Sequence, residues 1–132
     1  MTAKNPFTAI RALDYTVIYA RDMGAMIAFY EGVMGFDLTR TLSENWREYT
    51  IGPNTFVLAK PGPTADDAPL PTGSAAVQLA FKVPVPVVDA CADALTARNI
   101  AVLSPPTDRD FGHRTLFFRD PDGNLLEIYA EI

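Results

Sequence analysis

Apolar and polar positions change their period several times along this chain, and each change marks an element. Leu13 to Ala20, LDYTVIYA, is rich in β-branched and aromatic residues and predicts a strand, with Tyr15, Val17 and Tyr19 on one face and Thr16, Ile18 and Ala20 on the other. Met23, Met26, Ile27 and Tyr30 then recur at helical spacing behind Asp22, a suitable N-cap, and Gly32 and Gly35 are expected to stop that helix. Extended patterns resume over 36–42, 44–51 and 55–60, with Gly52-Pro53-Asn54 turning between the last two. The first half therefore reads β-α-β-β-β.

Between Lys60 and Ser74 the chain becomes KPGPTADDAPLPTGS, too poor in apolar residues to order itself strongly, and is read as an exposed connection. Val77 to Val83 is the next strand, and Val87 to Arg98 a helix with Val88, Cys91 and Leu95 as its buried stripe. Pro84 and Pro86 suit its start, and Asn99 can take the left-handed conformation beyond its end. Residues 100–103 form a short strand that Ser104-Pro105-Pro106 is expected to break, and a hairpin closes the chain. The order is again β-α-β-β-β, so the chain is an internal repeat. The fold class that follows is α+β: two tandem βαβββ modules, 13–60 and 76–131, joined by a linker over 61–75 into a single domain. Their curved mixed sheet is expected to carry a concave ligand cleft.

The closing hairpin, FGHRTLFFRDPDGNLLEIY from Phe111 to Tyr129, is the most informative stretch. Pro121 presets the second position of a type I turn, and Gly123 supplies the left-handed residue that closes the loop. With Asp120 facing Asn124, Arg119 falls opposite Leu125 and Phe117 opposite Glu127, so His113, Thr115 and Phe117 share a face with Leu125, Glu127 and Tyr129. Glu127 is then a carboxylate in an otherwise apolar strand, and burial without a partner would cost several kcal/mol. A compensating group is required.

This hairpin, with VIYARDM, AFYEGVMGF and VQLAFKV before it, resembles the vicinal oxygen chelate superfamily, the glyoxalase I, bleomycin-resistance and extradiol dioxygenase group. The resemblance runs from Asp14 to Ala130. It implies metal ligands at four matching positions, which here fall on Tyr15, on Leu58 or, with a one-residue slip, Val57, on Gln78 and on Glu127. Gln78 and Glu127 offer oxygen ligands, whereas Tyr15 would join only as a phenolate and neither Leu58 nor Val57 can bind a metal. Such a set suits a weak divalent site for Mg²⁺ or Mn²⁺ better than a Zn²⁺ or Fe²⁺ centre. Without metal, Gln78 and Glu127 make a hydrogen-bonded polar pair to which Tyr15 could donate its hydroxyl. His113, the only histidine, is aimed at the cleft by the hairpin register, and imidazole is the side chain best suited to carry a proton. Glu127, His113 and Tyr15 are thus the candidate catalytic residues. Gln78, Tyr19, Trp46, Tyr49, Phe56 and Phe117 are candidates for substrate binding, although aromatics at alternating strand positions also build cores.

Composition narrows the partners. The 132 residues suffice for one sizeable core, with 48% apolar residues. A net charge of −5 with scattered acidic residues gives no basic stripe for nucleic acid. No apolar run is long enough to span a membrane and the first residues do not resemble a signal peptide, so a cytoplasmic protein is expected. The single Cys91 reads as a buried structural thiol. Exposed sheet edges and an apolar cleft rim predict a homodimer. Two functions fit: a glyoxalase-like, lyase or dioxygenase-like enzyme with a degenerate metal site, or a metal-free, bleomycin-resistance-like protein that sequesters a bulky ligand.

Overall fold

A computed structural model describes residues 5–9, 11–60 and 77–132; the linker expected over 61–75 lies outside the described residues. After a 3₁₀ turn at Pro6–Ala9 come β1 (Tyr15–Tyr19), α1 (Met23–Ile27) continued by a π-helical turn (Ala28–Val33), β2 (Asp37–Ser43), β3 (Trp46–Ile51) and β4 (Asn54–Ala59). The second module has β5 (Gln78–Lys82), α2 (Val85–Ala97), β6 (Val102–Arg109), β7 (His113–Arg119) and β8 (Leu125–Glu131). The tandem βαβββ order read from the sequence is the one observed.

Each module forms a four-stranded mixed sheet, in the orders β1-β4-β3-β2 and β5-β8-β7-β6. β1 runs parallel to β4 and β5 parallel to β8, while the remaining neighbours are antiparallel. Helices cover one face of each sheet, and the two covered faces meet in a shared core. Ile18, Tyr49, Phe56 and Leu58 of the first sheet belong to the same buried cluster as Leu116, Phe118, Leu126, Ile128 and Ala130 of the second. Phe29 approaches Phe118 at 6.3 Å between ring centres, and Phe36 meets Phe81 edge-on at 5.6 Å. Each such ring removed from water contributes roughly 1.5–3 kcal/mol, so these contacts help to hold the two modules together. The opposite, helix-free face of each sheet stays on the outside.

Local signals explain most boundaries. The Asp22 carboxylate accepts from the Ala25 N–H at 3.0 Å and starts α1. The helix runs through Gly32 rather than stopping there: the Met34 N–H reaches back to the Phe29 carbonyl at 2.9 Å, a π turn that leaves both Phe29 and Tyr30 buried. Gly35, with φ of 69°, ends it. Pro84 and Pro86 sit at the start of α2, where missing N–H groups cost nothing, and Asn99 leaves it with φ of 58°.

The strand expected to break at Ser104-Pro105-Pro106 instead continues as β6 to Arg109. β6 is the edge of its sheet, where a proline need not donate, and its two register shifts fall between Val102 and Thr107, around the prolines.

Candidate functional site

Alternation along β8 sends Leu126, Ile128 and Ala130 into the core and leaves Leu125, Glu127 and Tyr129 on the open face. The hairpin register is the expected one: Arg119 pairs with Leu125, Phe117 with Glu127, Thr115 with Tyr129 and His113 with Glu131. On the other side of β8, Gln78 pairs with Leu125 and Ala80 with Glu127. Gln78 is therefore a diagonal neighbour of Glu127, and its Nε2 donates to Glu127 Oε1 at 3.1 Å. The half-buried carboxylate obtains its partner from the amide.

His113 and Phe117 share this open face. The His113 ring stacks on Tyr129, 4.6 Å between centres at 24°, and meets Phe111 edge-on at 5.2 Å. Its row lies four residues along β7 from the row of Glu127, about 13 Å of strand. The register thus aims His113 to the predicted side but places it against aromatic rings instead of the carboxylate.

On the first sheet, Tyr15 and Tyr19 lie on the open face, each 49% exposed, and Tyr15 meets Trp46 edge-on at 6.1 Å. Trp46 Nε1 donates to Glu48 Oε2 at 2.7 Å, adding a second open-face carboxylate that the sequence did not single out. No hydrogen bond among the described residues joins Tyr15 to Glu127 or Gln78. The reason is topological: Tyr15 belongs to the first sheet and the polar pair to the second, and the core separates them.

Tyr49 and Phe56, expected to bind substrate, are core residues at 0% and 3% exposure. They pair directly across β3 and β4, and Tyr49 is three residues from Trp46, which on a strand means the opposite face. The Tyr49 hydroxyl donates to Glu31 Oε2 at 2.8 Å, and Arg47 Nη2 bonds the same oxygen at 2.8 Å. Burial, with Glu31 adding to it and Arg47 opposing, holds the Tyr49 phenol above its ordinary pKa.

The parallel registers also relate the modules. Tyr15 pairs with Thr55 as Gln78 pairs with Leu125, so Val57, itself 1% exposed, and not Leu58 of the shared core cluster, occupies the place of Glu127 in the first module. A methyl-bearing side chain there cannot coordinate. The Gln78–Glu127 pair offers one carboxylate and an amide whose nitrogen faces it, and no group of three or more His, Cys, Asp or Glu residues is gathered for a metal among the described residues. This donor set does not fit a resident Zn²⁺ or Fe²⁺ centre.

Two features escaped the sequence reading. Arg109 lies on the open face of the second sheet, with Nε donating to Thr115 Oγ1 at 2.9 Å and Nη2 to Ser104 Oγ at 3.1 Å. Its signal was available: Asp110-Phe111-Gly112 closes a three-residue loop as Pro121-Asp122-Gly123 does, with Gly112 at φ 91° and Gly123 at φ 89°. The second feature is Asp120, 4% exposed, whose Oδ1 accepts the N–H groups of Asp122 and Asn124 while Oδ2 accepts the Asn124 amide and the Tyr30 hydroxyl. Asp122 Oδ2 in turn accepts the Arg21 N–H at 2.9 Å. The aspartates of the turn are thus committed to structure.

Known proteins share this arrangement. Virulence protein STM3117 of Salmonella typhimurium strain LT2 is 30% identical over 123 residues, spanning 90% of this chain and 83% of its own. The crystal structure of that protein superposes with a TM-score of 0.71 at 28% identity, covering 93% of this chain and 98% of the other. Lactoylglutathione lyase from Agrobacterium tumefaciens, at 22% identity and a TM-score of 0.73 over 92% of this chain and 95% of its own, shares the fold. So does a glyoxalase/dioxygenase from Nostoc punctiforme, at 20% identity and a TM-score of 0.76 over 100% and 98%. Residues 12–128 match the family described as the Glyoxalase/Bleomycin resistance protein/Dioxygenase superfamily, and with the repeated βαβββ fold already in view, the chain belongs to that superfamily.

Proposed function

We propose that this protein is a homodimer that binds a small organic molecule against the Gln78–Glu127 pair, using hydrogen bonds and aromatic contact instead of a tightly held transition metal. The observation that carries the reading is the 3.1 Å bond from Gln78 Nε2 to Glu127 Oε1 on an open sheet face beside Phe117 and Tyr129. It holds a carboxylate in place with a neutral donor and leaves its charge intact. Each sheet of one chain has a face that no helix covers, and Tyr15 and Tyr19, each 49% exposed, put aromatic surface on the first of them. A two-fold axis that sets the first sheet of one copy against the second sheet of another would cover both and make two equivalent clefts. In that cleft Tyr15, Tyr19 and Trp46 face Glu127, Gln78 and Phe117 from across the interface.

One observation favours a catalytic version of the same site. Glu127 Oε2 receives no hydrogen bond from any described residue, so it can accept a proton from a bound ligand as a general base. His113, stacked on Tyr129, would serve as a second proton carrier at the cleft rim.

The test joins elemental analysis of the native protein to calorimetric titration with bleomycin, a catechol and a glutathione hemithioacetal. Micromolar binding of one of them without stoichiometric metal, lost in Glu127→Gln, is the expected result. Metal-free turnover abolished by the same substitution would establish the general-base version. Stoichiometric zinc or iron accompanied by turnover of the catechol or hemithioacetal would overturn the metal-free reading.

A further inference from the structure

We propose that Arg109 is the anion-holding residue of the second sheet's open face, and that the ligand carries a carboxylate or phosphate at one end and a hydrogen-bond donor for Glu127 at the other. This rests on the reading that the ligand lies on that face.

Acidic residues outnumber basic ones, 16 to 11, so partners for a guanidinium are plentiful. Arg114 takes two of them, Asp89 and Asp108, each at 2.8 Å, and Arg47 takes Glu31 at 2.8 Å. Lys82 is paired with Glu131 at 3.2 Å. Arg109 forms no ion pair among the described residues, although Asp108 and Asp110 flank it in sequence. Strand alternation explains why: Asp108 pairs with Arg114 across β6 and β7 and turns to the other side. The guanidinium is held by two hydroxyls, one of them on Thr115 at 1% exposure. Those bonds fix its position without neutralising it. Two of its five N–H donors are used, and the rest are available to an anion, for which the planar fork is well shaped.

The register sets the scale of the ligand. Ser104, which holds Arg109 Nη2, pairs with Phe117, and Phe117 pairs with Glu127. Ser104 and Glu127 therefore lie in one row on either side of Phe117, two strand spacings or about 10 Å apart, and the guanidinium bridges the Ser104 end of that row to Thr115 in the next. A short molecule with an anion at one end, an apolar middle over Phe117 and a hydroxyl or ammonium at the other end matches the row.

The probes are short-chain ω-hydroxycarboxylates, the matching ω-hydroxyalkyl phosphates and the neutral ω-hydroxyamides, titrated into the native protein and into Arg109→Gln and Arg109→Lys. The native protein should prefer an anion over the amide, and the series that binds more tightly distinguishes carboxylate from phosphate. Arg109→Gln should weaken the anion by about ten- to hundredfold and the amide far less, with partial recovery for the anion in Arg109→Lys. Equal affinity for anion and amide, equal loss of both in Arg109→Gln, or no binding of any probe would each overturn the assignment. Failure of the underlying reading has a different signature: ligand binding that survives Glu127→Gln.

Discussion

The hydroxyl of Tyr30, in the π turn of the first module, donates to Asp120 Oδ2 in the closing turn of the second module at 2.7 Å, across 90 positions of sequence and at a fully buried site. Asp120 also organises its own loop, so a single carboxylate both shapes the final hairpin and docks it onto the other half. Removing the phenol's oxygen leaves that carboxylate one donor short where water cannot replace it. Tyr30→Phe should cost about 1–3 kcal/mol, read as a lower urea midpoint at unchanged m-value.

Alkaline pH should act through the same bond. Burial, and then the nearby Asp120 charge, hold the Tyr30 proton well above the usual phenol range. The unfolded chain releases a tyrosine proton near pH 10, and the folded chain keeps it. Stability is therefore fully present below pH 10 and falls as the pH rises beyond it, by up to about 1.4 kcal/mol per pH unit for one such group. Tyr49, shifted in the same direction, adds to the slope. Chemical denaturation at stepped pH should show a shallower alkaline decline in Tyr30→Phe than in the native protein.

Gly123 closes the hairpin with φ of 89°, a conformation an L side chain adopts at a cost. No heavy atom lies within 4 Å of where its Cβ would stand, so the penalty for Gly123→Ala is conformational alone. It should be about 1–2 kcal/mol, measured by thermal or urea unfolding. A neutral result would mean that the loop relaxes into another turn.

Trp46 is the chain's one tryptophan and stands on the first sheet's open face beside Tyr15. If two copies cover that face, dilution through the dissociation range should shift Trp46 emission to the red in step with the fall in mass seen by sedimentation. Tyr19→Glu, which puts a charge on the same face, should move both curves to higher concentration. Fluorescence that ignores a mass change would place the interface elsewhere.

Much of this architecture is legible in the sequence because local chemistry dictates it. Asp22 and Asn99 take the conformations their side chains favour, Gly123 takes one that its lack of a Cβ permits, and the turn at Gly123 fixes which residues of β7 share a face with Glu127. Gln78 follows from simple alternation. Tyr49 and Phe56 face the core and not the ligand side because β4 is apolar on both faces and β3 mixes charged and aromatic residues on both, which hides their phase, although the odd spacing from Trp46 to Tyr49 reveals it. Prolines concealed β6, and with it Arg109, since a proline-bearing edge strand looks like a loop until its neighbour is known. The Tyr30–Asp120 bond has no local signature at all: both residues satisfy nearby patterns, and only the packing of one module on the other brings them together.

The shared core has a consequence for any attempt to divide the polypeptide. Severed between the modules, the amino-terminal piece would present Phe29 and Tyr30 to water, and the carboxy-terminal piece would lose the phenol that Asp120 relies on. Neither fragment holds a complete interior, so the two βαβββ units repeat one outline yet depend on each other to finish it.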